Sequence, residues 1–268
     1  MFSRLFNKPG RKGPARTPDD CVIWAVGDIH GRSDLSGPLI AAIRDDLNAS
    51  AAARRVLVFL GDHVDRGPDS RGVLDQVVEV AADPSLEVHC LRGNHEDRME
   101  AFLDDPSLGP GWCDYGGREC LMSYGVVPPA MRGDPAGWAE ASRALRAALP
   151  DSHLRLLQGQ RHSVAIGDYF FAHAGARPGV ALDAQSPDDL MWVRQEFLDH
   201  PAPFEKVVVH GHTPADEVVS DGRRIGIDTG AYATGVLSAV RLEGETCVLL
   251  QAAGRGERVS LSTRPLSA

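Results

Sequence analysis

Cysteine is scarce in this chain of 268 residues. Its five copies (Cys21, Cys90, Cys113, Cys120 and Cys247) are odd in number, scattered and free of any CxxC spacing. A disulfide framework and a zinc knuckle are therefore not indicated, and a reducing compartment fits best. No run approaches the roughly 18 apolar residues that a membrane span requires, and the N-terminus has no apolar core of signal-peptide length. A cytoplasmic protein without integral membrane association is expected. Basic charge is also lacking where it would matter. Net charge is -9, and the first 16 residues alone hold five cations (Arg4, Lys8, Arg11, Lys12, Arg16), so the remainder carries 23 basic against 37 acidic residues. Such a body repels nucleic acid. Residues 1–18, rich in Pro, Gly, Lys and Arg, read as a flexible basic tail. Residues 19–268 read as one domain, with a variable insert at about 105–160.

The rest of the sequence supplies regular alternation. CVIWAV (21–26), VLVFL (56–60) and LEVHCL (86–91) are apolar runs of strand length. Each is followed by a polar loop and then a helical pattern, giving an α/β order. The first helix is expected at Ser33 to Asn48, with Pro38 in its first turn. The second is expected to run from an Asp69 or Ser70 cap to Ala82, burying Val73, Leu74, Val77, Val78 and Ala81. Hairpins are predicted at Gly167-Asp168, Asp221-Gly222 and Glu243-Gly244. Ser186-Pro187-Asp188-Asp189 starts a helix through LMWVRQEFL.

In sheets of this kind binding groups gather at the carboxyl ends of strands. Here those ends carry Asp28 and His30, Asp62, Asn94, His173 and His212. Hydrolysis of a phosphate ester at neutral pH calls for an acidified water, screened phosphoryl oxygens and a proton for the leaving group; two divalent metals provide the first two. Oxygen and imidazole donors at successive strand ends suit that task. Asp28 and His30 lie two apart, so in an extended loop both point into one site. Asn94 and His95 are adjacent and should diverge. His210 and His212 repeat the two-apart spacing, and spacing alone does not choose between them.

GDIHG (27–31), GDHVDRG (61–67), RGNHE (92–96), HAG (173–175) and GHTP (211–214) together resemble the ordered motif set of the phosphoprotein phosphatase family of metallophosphoesterases, in its bacterial and phage form. The similarity spans about residues 21–240. It implies a β-sandwich of two mixed sheets flanked by helices, with a dinuclear metal site at strand C-terminal ends. Asp28 and His30 would hold the first metal, Asp62 would bridge, and Asn94, His173 and His212 would complete the second site; manganese is the family's metal of choice, with iron, zinc or nickel compatible. His95 would protonate the leaving oxygen and Asp65 would orient it. Arg66, Arg92 and Arg194 match phosphate-binding positions. The position where the wider superfamily has a second histidine of GHxH is Pro214, so no extra ligand is expected there.

The implied activity is that of a serine/threonine or dual-specificity protein phosphatase acting on a phosphorylated protein or peptide, with no obligate regulatory subunit. A symmetrical dinucleoside tetraphosphatase is the nearest alternative, and an inactive phosphate-binding scaffold a distant one. His89, His153, His162 and His200 read as structural. His63 is left between substrate contact and packing, and Trp112, Tyr115 and Gly116-Gly117 between cleft and core.

Overall fold

A computed structural model describes residues 13–266. The chain runs β1 (Cys21–Val26), α1 (Ser33–Ala49), β2 (Arg54–Phe59), α2 (Ser70–Ala81), β3 (Glu87–Cys90) and α3 (Asn94–Asp104). The insert follows, with α4 (Gly109–Trp112), α5 (Arg118–Ser123), α6 (Pro135–Ala148) and α7 (Asp151–Gly159). The second half holds β4 (Ser163–Ile166), β5 (Tyr169–Ala172), α8 (Pro187–Trp192), α9 (Gln195–Leu198), β6 (Val207–His210), β7 (Val219–Ser220), β8 (Arg224–Gly226), α10 (Ala231–Thr234), β9 (Val236–Glu243), β10 (Thr246–Arg255) and β11 (Arg258–Pro265).

These strands form two mixed sheets. One has the order β11-β10-β9-β1-β2-β3 and the other β4-β5-β6-β8-β7. β1, β2 and β3 are parallel neighbours, and so are β5, β6 and β8. The alternation of β1 explains its unbroken apolar sequence. Cys21, Ile23 and Ala25 face the second sheet and pack with Phe171, Val209 and Ile225, while Val22, Trp24 and Val26 face Leu39 and Ile43 of α1. A strand buried on both faces has no position for a polar residue. The parallel strands point their carboxyl ends to one rim, where the motif loops meet.

Several local expectations change. α1 begins at Ser33, which puts the exposed Pro38 in its second turn rather than its first. Asp69 caps α2 by accepting from Gly72 N, and the buried stripe is Val73, Leu74, Val77 and Val80; Val78 is half-buried and Ala81 exposed. The helix foreseen over 190–198 breaks into α8 and α9 at Val193-Arg194, where Arg194 adopts φ -131°, ψ -106°. β11 closes the sheet as an edge strand, and its sequence RVSLSTRP is accordingly polar and largely exposed. Residues 1–12 of the expected tail lie outside the described residues. Its last part is fixed to the fold, since Arg16 N donates to Asp168 Oδ2 and Thr17 is buried.

Candidate active site

The loops that leave β1, β2, β5 and β6 turn sharply at the rim. Among the described residues six non-glycine positions have positive φ, and five of them lie in the motif loops: His30 (47°), Asp62 (50°), Asp65 (72°), Arg66 (66°) and His212 (66°). Left-handed backbone costs on the order of 1 kcal/mol or more per such residue and persists only where its surroundings hold it. Glu96, fully buried in the first turn of α3, supplies one hold. Its Oε2 accepts from Asp62 N (2.9 Å) and Gly93 N (3.0 Å), and its Oε1 from His63 N (2.8 Å) and Val64 N (3.2 Å). At roughly 1.5–3 kcal/mol for a hydrogen bond to a charged group, this carboxylate outweighs the strain in its loop. Gly61 (φ 102°) lets the exits of β2 and β3 pass backbone to backbone: a Cβ there would lie 2.6 Å from Gly93 N.

The side chains brought together are mostly acceptors. His173 Nδ1–H donates to Leu60 O (2.9 Å), which leaves the Nε2 facing Asn94 Oδ1 (3.0 Å), His212 Nδ1 (3.2 Å) and Asp62 Oδ2 (3.4 Å). Likewise His30 Nδ1–H donates to Val64 O (2.9 Å), which turns Nε2 toward Asp62 Oδ2 at 3.5 Å. Histidines oriented from behind in this way are the usual state of metal ligands. Two ligand groups emerge, His30–Asp62–His95 and Asp62–His173–His212, all buried and sharing Asp62. The donor set fits a dinuclear divalent metal site.

Charge follows the same logic. Burial, then the neighbouring Asp228 and Asp62 carboxylates, raise Asp28 well above the usual carboxylate range. Burial lowers His30 to about 3 and His212 to about 2, so both are neutral donors at pH 7. Asp62 stays well below the ordinary range, because the His173, His95 and His30 charges outweigh its burial, while His173 is drawn up to about 10 by Asp62. A proton on His173 occupies the place a cation would take, so metal uptake there releases it.

Asp28 enters differently from the spacing argument. His30 is left-handed, so the two are not on one extended run; Asp28 Oδ2 accepts from His212 N at 2.9 Å, across to β6, and its buried Oδ1 has no hydrogen-bond partner among the described residues. Asn94 and His95 sit in the first turn of a helix rather than in an extended loop, and both line the cleft. His95 Nδ1–H donates to Asp65 Oδ2 (2.6 Å), which also accepts from Trp112 Nε1 (2.8 Å). Burial alone would lower His95, but Asp62 and Asp65 raise it above its ordinary value; burial in turn pushes Asp65 to about 6. Trp112 is thus both core and site.

Arg66 holds one nitrogen 3.3 Å from His95 Nε2, with its guanidinium over the Tyr232 ring at 4.5 Å. Gly116 (φ 109°) makes that loop possible: Arg66 N donates to Gly116 O, and a Cβ at Gly116 would meet Arg66 N at 2.5 Å. The break between α8 and α9 brings Arg194 to the cleft, within 3.5 Å of His212 O. Arg92 is not brought there. Its guanidinium lies along α3, 3.2 Å from Asp97 Oδ1 and 2.5 Å from Glu100 Oε2, because those acids sit one and two turns along the helix its own motif starts.

The pairs left open are resolved by partners. His210 donates from Nδ1 to Gly211 O (3.0 Å) and faces Arg224 with Nε2 (3.2 Å), so it has no lone pair for the cluster; His212 does. His63 is fully buried, 3.4 Å from Glu96 Oε1 and against Phe59, and does not reach the cleft. Pro214 lines the recess. Sequence reasoning passed over Glu96, whose contacts are to backbone N–H groups, and Asp228 and Tyr232, which line the same recess. Asp228 follows β8, so the strand-end rule that found the other carboxylates could have found it. A recess of about 150 Å³ lies over the ligand cluster and opens to a cavity of about 510 Å³ walled by the insert and α8.

If Glu96 holds the strained loop, Glu96→Gln leaves buried N–H groups unpaired. Urea unfolding should then show a loss on the order of 3 kcal/mol, and calorimetric titration should show metal affinity weaker by about 10- to 100-fold. Unchanged affinity would refute the positioning role.

Comparison with known proteins agrees with this geometry. The chain is 27% identical over 226 residues to serine/threonine-protein phosphatase 1 of Salmonella typhimurium, covering 82% of this chain and 92% of that one. It is 25% identical over 238 residues to an asymmetrical bis(5'-nucleosyl)-tetraphosphatase of Anoxybacillus flavithermus, covering 81% and 88%. Among solved structures, one provisionally described as a diadenosine tetraphosphatase shares the fold at a TM-score of 0.60 (20% identity, 91% of this chain and 100% of that one). A cold-active protein tyrosine phosphatase does so at 0.54 (19% identity, 91% and 78%). The family model of the calcineurin-like phosphoesterases matches residues 21–240, and the chain belongs to that family.

Proposed function

We propose that this metallophosphoesterase is a protein phosphatase that removes phosphate from serine and threonine residues. The observation that carries the reading is the Asp65–His95 pair at the boundary between the ligand recess and the larger cavity, beside Arg66 and Arg194. Asp28, His30, Asp62, Asn94, His173 and His212 would hold two divalent ions, manganese by preference, and such ions acidify a water and screen phosphoryl oxygens. Arg66 and Arg194, planar forks at the recess, bind and orient the phosphoryl oxygens. His95 holds a proton at Nε2 for the departing alkoxide, and Asp65 fixes the ring and favours its charged form. Arg92, bound to Asp97 and Glu100, has no part in this division.

The rim supports a protein substrate. Leu108 and Tyr115 are exposed apolar side chains that line the cavity. A second reading, hydrolysis of a dinucleoside tetraphosphate, is favoured by Trp192 and Tyr115 in the cavity, whose rings could stack on a base. Steady-state assays of the manganese-loaded protein on phosphoserine and phosphothreonine peptides beside diadenosine tetraphosphate separate the two. A higher kcat/KM on peptides is expected; preference for the dinucleotide would overturn the proposal.

The pH profile tests His95. Its proton must be present for catalysis, so kcat falls as pH rises through its raised pKa. Asp65→Asn removes one carboxylate that raises it, and the alkaline limb should move to lower pH. An unmoved limb would contradict the assignment of that limb to His95.

A further inference from the structure

Arg98 stands apart from the cations already assigned. It lies one turn beyond His95 on α3, with its guanidinium 4.9 Å from the centre of the Trp192 ring, and it is exposed. No carboxylate lies within 4 Å of it among the described residues, in contrast to Arg92, Arg132, Arg143 and Arg177, which are paired. In a body with a large excess of acid, an arginine left unpaired beside a cavity is a position of attraction for anions.

Its place in the cavity says which part of the substrate it meets. Arg66 and Arg194 line both the 150 Å³ recess and the 510 Å³ cavity, but Arg98 lines the cavity alone. It is therefore on the leaving-group side of His95, away from the phosphoryl being transferred. The contact with Trp192 holds the guanidinium beside the cavity and limits the rotamer entropy lost when it binds.

We infer that Arg98 is a specificity-determining residue that reads an acidic side chain next to the phosphorylated residue of a protein substrate. The inference rests on the protein-phosphatase reading above. Leu108 and Tyr115, exposed apolar side chains in the wall of Arg98's cavity, give an extended peptide a surface to lie on. Charge from Arg98 and apolar contact from the rim together describe a phosphopeptide with an acidic neighbour and apolar flanks.

The test compares two phosphoserine peptides that differ only by Asp or Asn beside the phosphorylated residue, hydrolysed by the full, manganese-loaded chain and by Arg98→Gln and Arg98→Lys. The wild type should prefer the Asp peptide by about tenfold in kcat/KM, the size of one favourable charge contact of about 1.4 kcal/mol. The preference should fall below about twofold in R98Q and be kept in part in R98K, which retains the charge but loses the planar contact with Trp192. Equal rates on the two peptides in the wild type, an undiminished preference in R98Q, or an equal loss on both peptides would each overturn the inference. Failure of the protein-phosphatase reading looks different: the wild type then hydrolyses diadenosine tetraphosphate and neither peptide. A loss of that activity in R98Q would assign Arg98 to a second phosphate and reject the acidic side chain.

Discussion

The Asp62 carboxylate is the point on which this site depends. It is 2% exposed, belongs to both ligand groups, and its Oδ1 accepts from His95 N at 3.0 Å while Oδ2 faces His30, His173 and His95. A buried carboxylate that meets three imidazoles is costly unless positive charge accompanies it. Much of the surrounding structure follows from that need. The left-handed turn at Asp62 aims the side chain inward, Glu96 holds the turn, and the carbonyls of Leu60 and Val64 fix the tautomers that present nitrogen lone pairs. The sandwich contributes by stacking two sets of parallel strands so that their carboxyl ends meet at one rim.

The wall of the larger cavity is built from a different layer. Residues 105–160 pack against α3 in an apolar cluster that joins Trp112, Trp138 and Leu145 to Met99 and Phe102, and they reach the site at Trp112 and Gly116. Trp112 donates to Asp65, and Gly116 accepts from Arg66. A change in residues 105–160 can therefore alter both the shape of the cavity and the position of the Asp65–His95 pair.

Much of the fold was legible because strands buried on both faces must be continuously apolar, and because five motif loops follow such strands or open the next helix. The two mixed sheets and the meeting of Asp28, His30, Asp62, Asn94, His173 and His212 at one rim follow that pattern. Other features were hidden by contacts that sequence does not display. Glu96 acts through backbone N–H groups; Asp28 reaches across the sandwich to accept from His212 N; Arg92 is taken up by acids one and two turns along the same helix. The break at Val193-Arg194 escaped the helix pattern because tertiary context overrides local propensity. His210 and His212 were indistinguishable by spacing, and only the partners of His210, Gly211 O and Arg224, separate them.

The most direct measurement of the shared role of Asp62 is the metal content of the purified protein after loading and desalting, for the wild type and Asp62→Asn. Two divalent ions per chain are expected in the wild type, with both lost together in D62N while the chain remains folded by circular dichroism. Retention of both ions in D62N, or the loss of one alone, would contradict a site built around a single shared carboxylate.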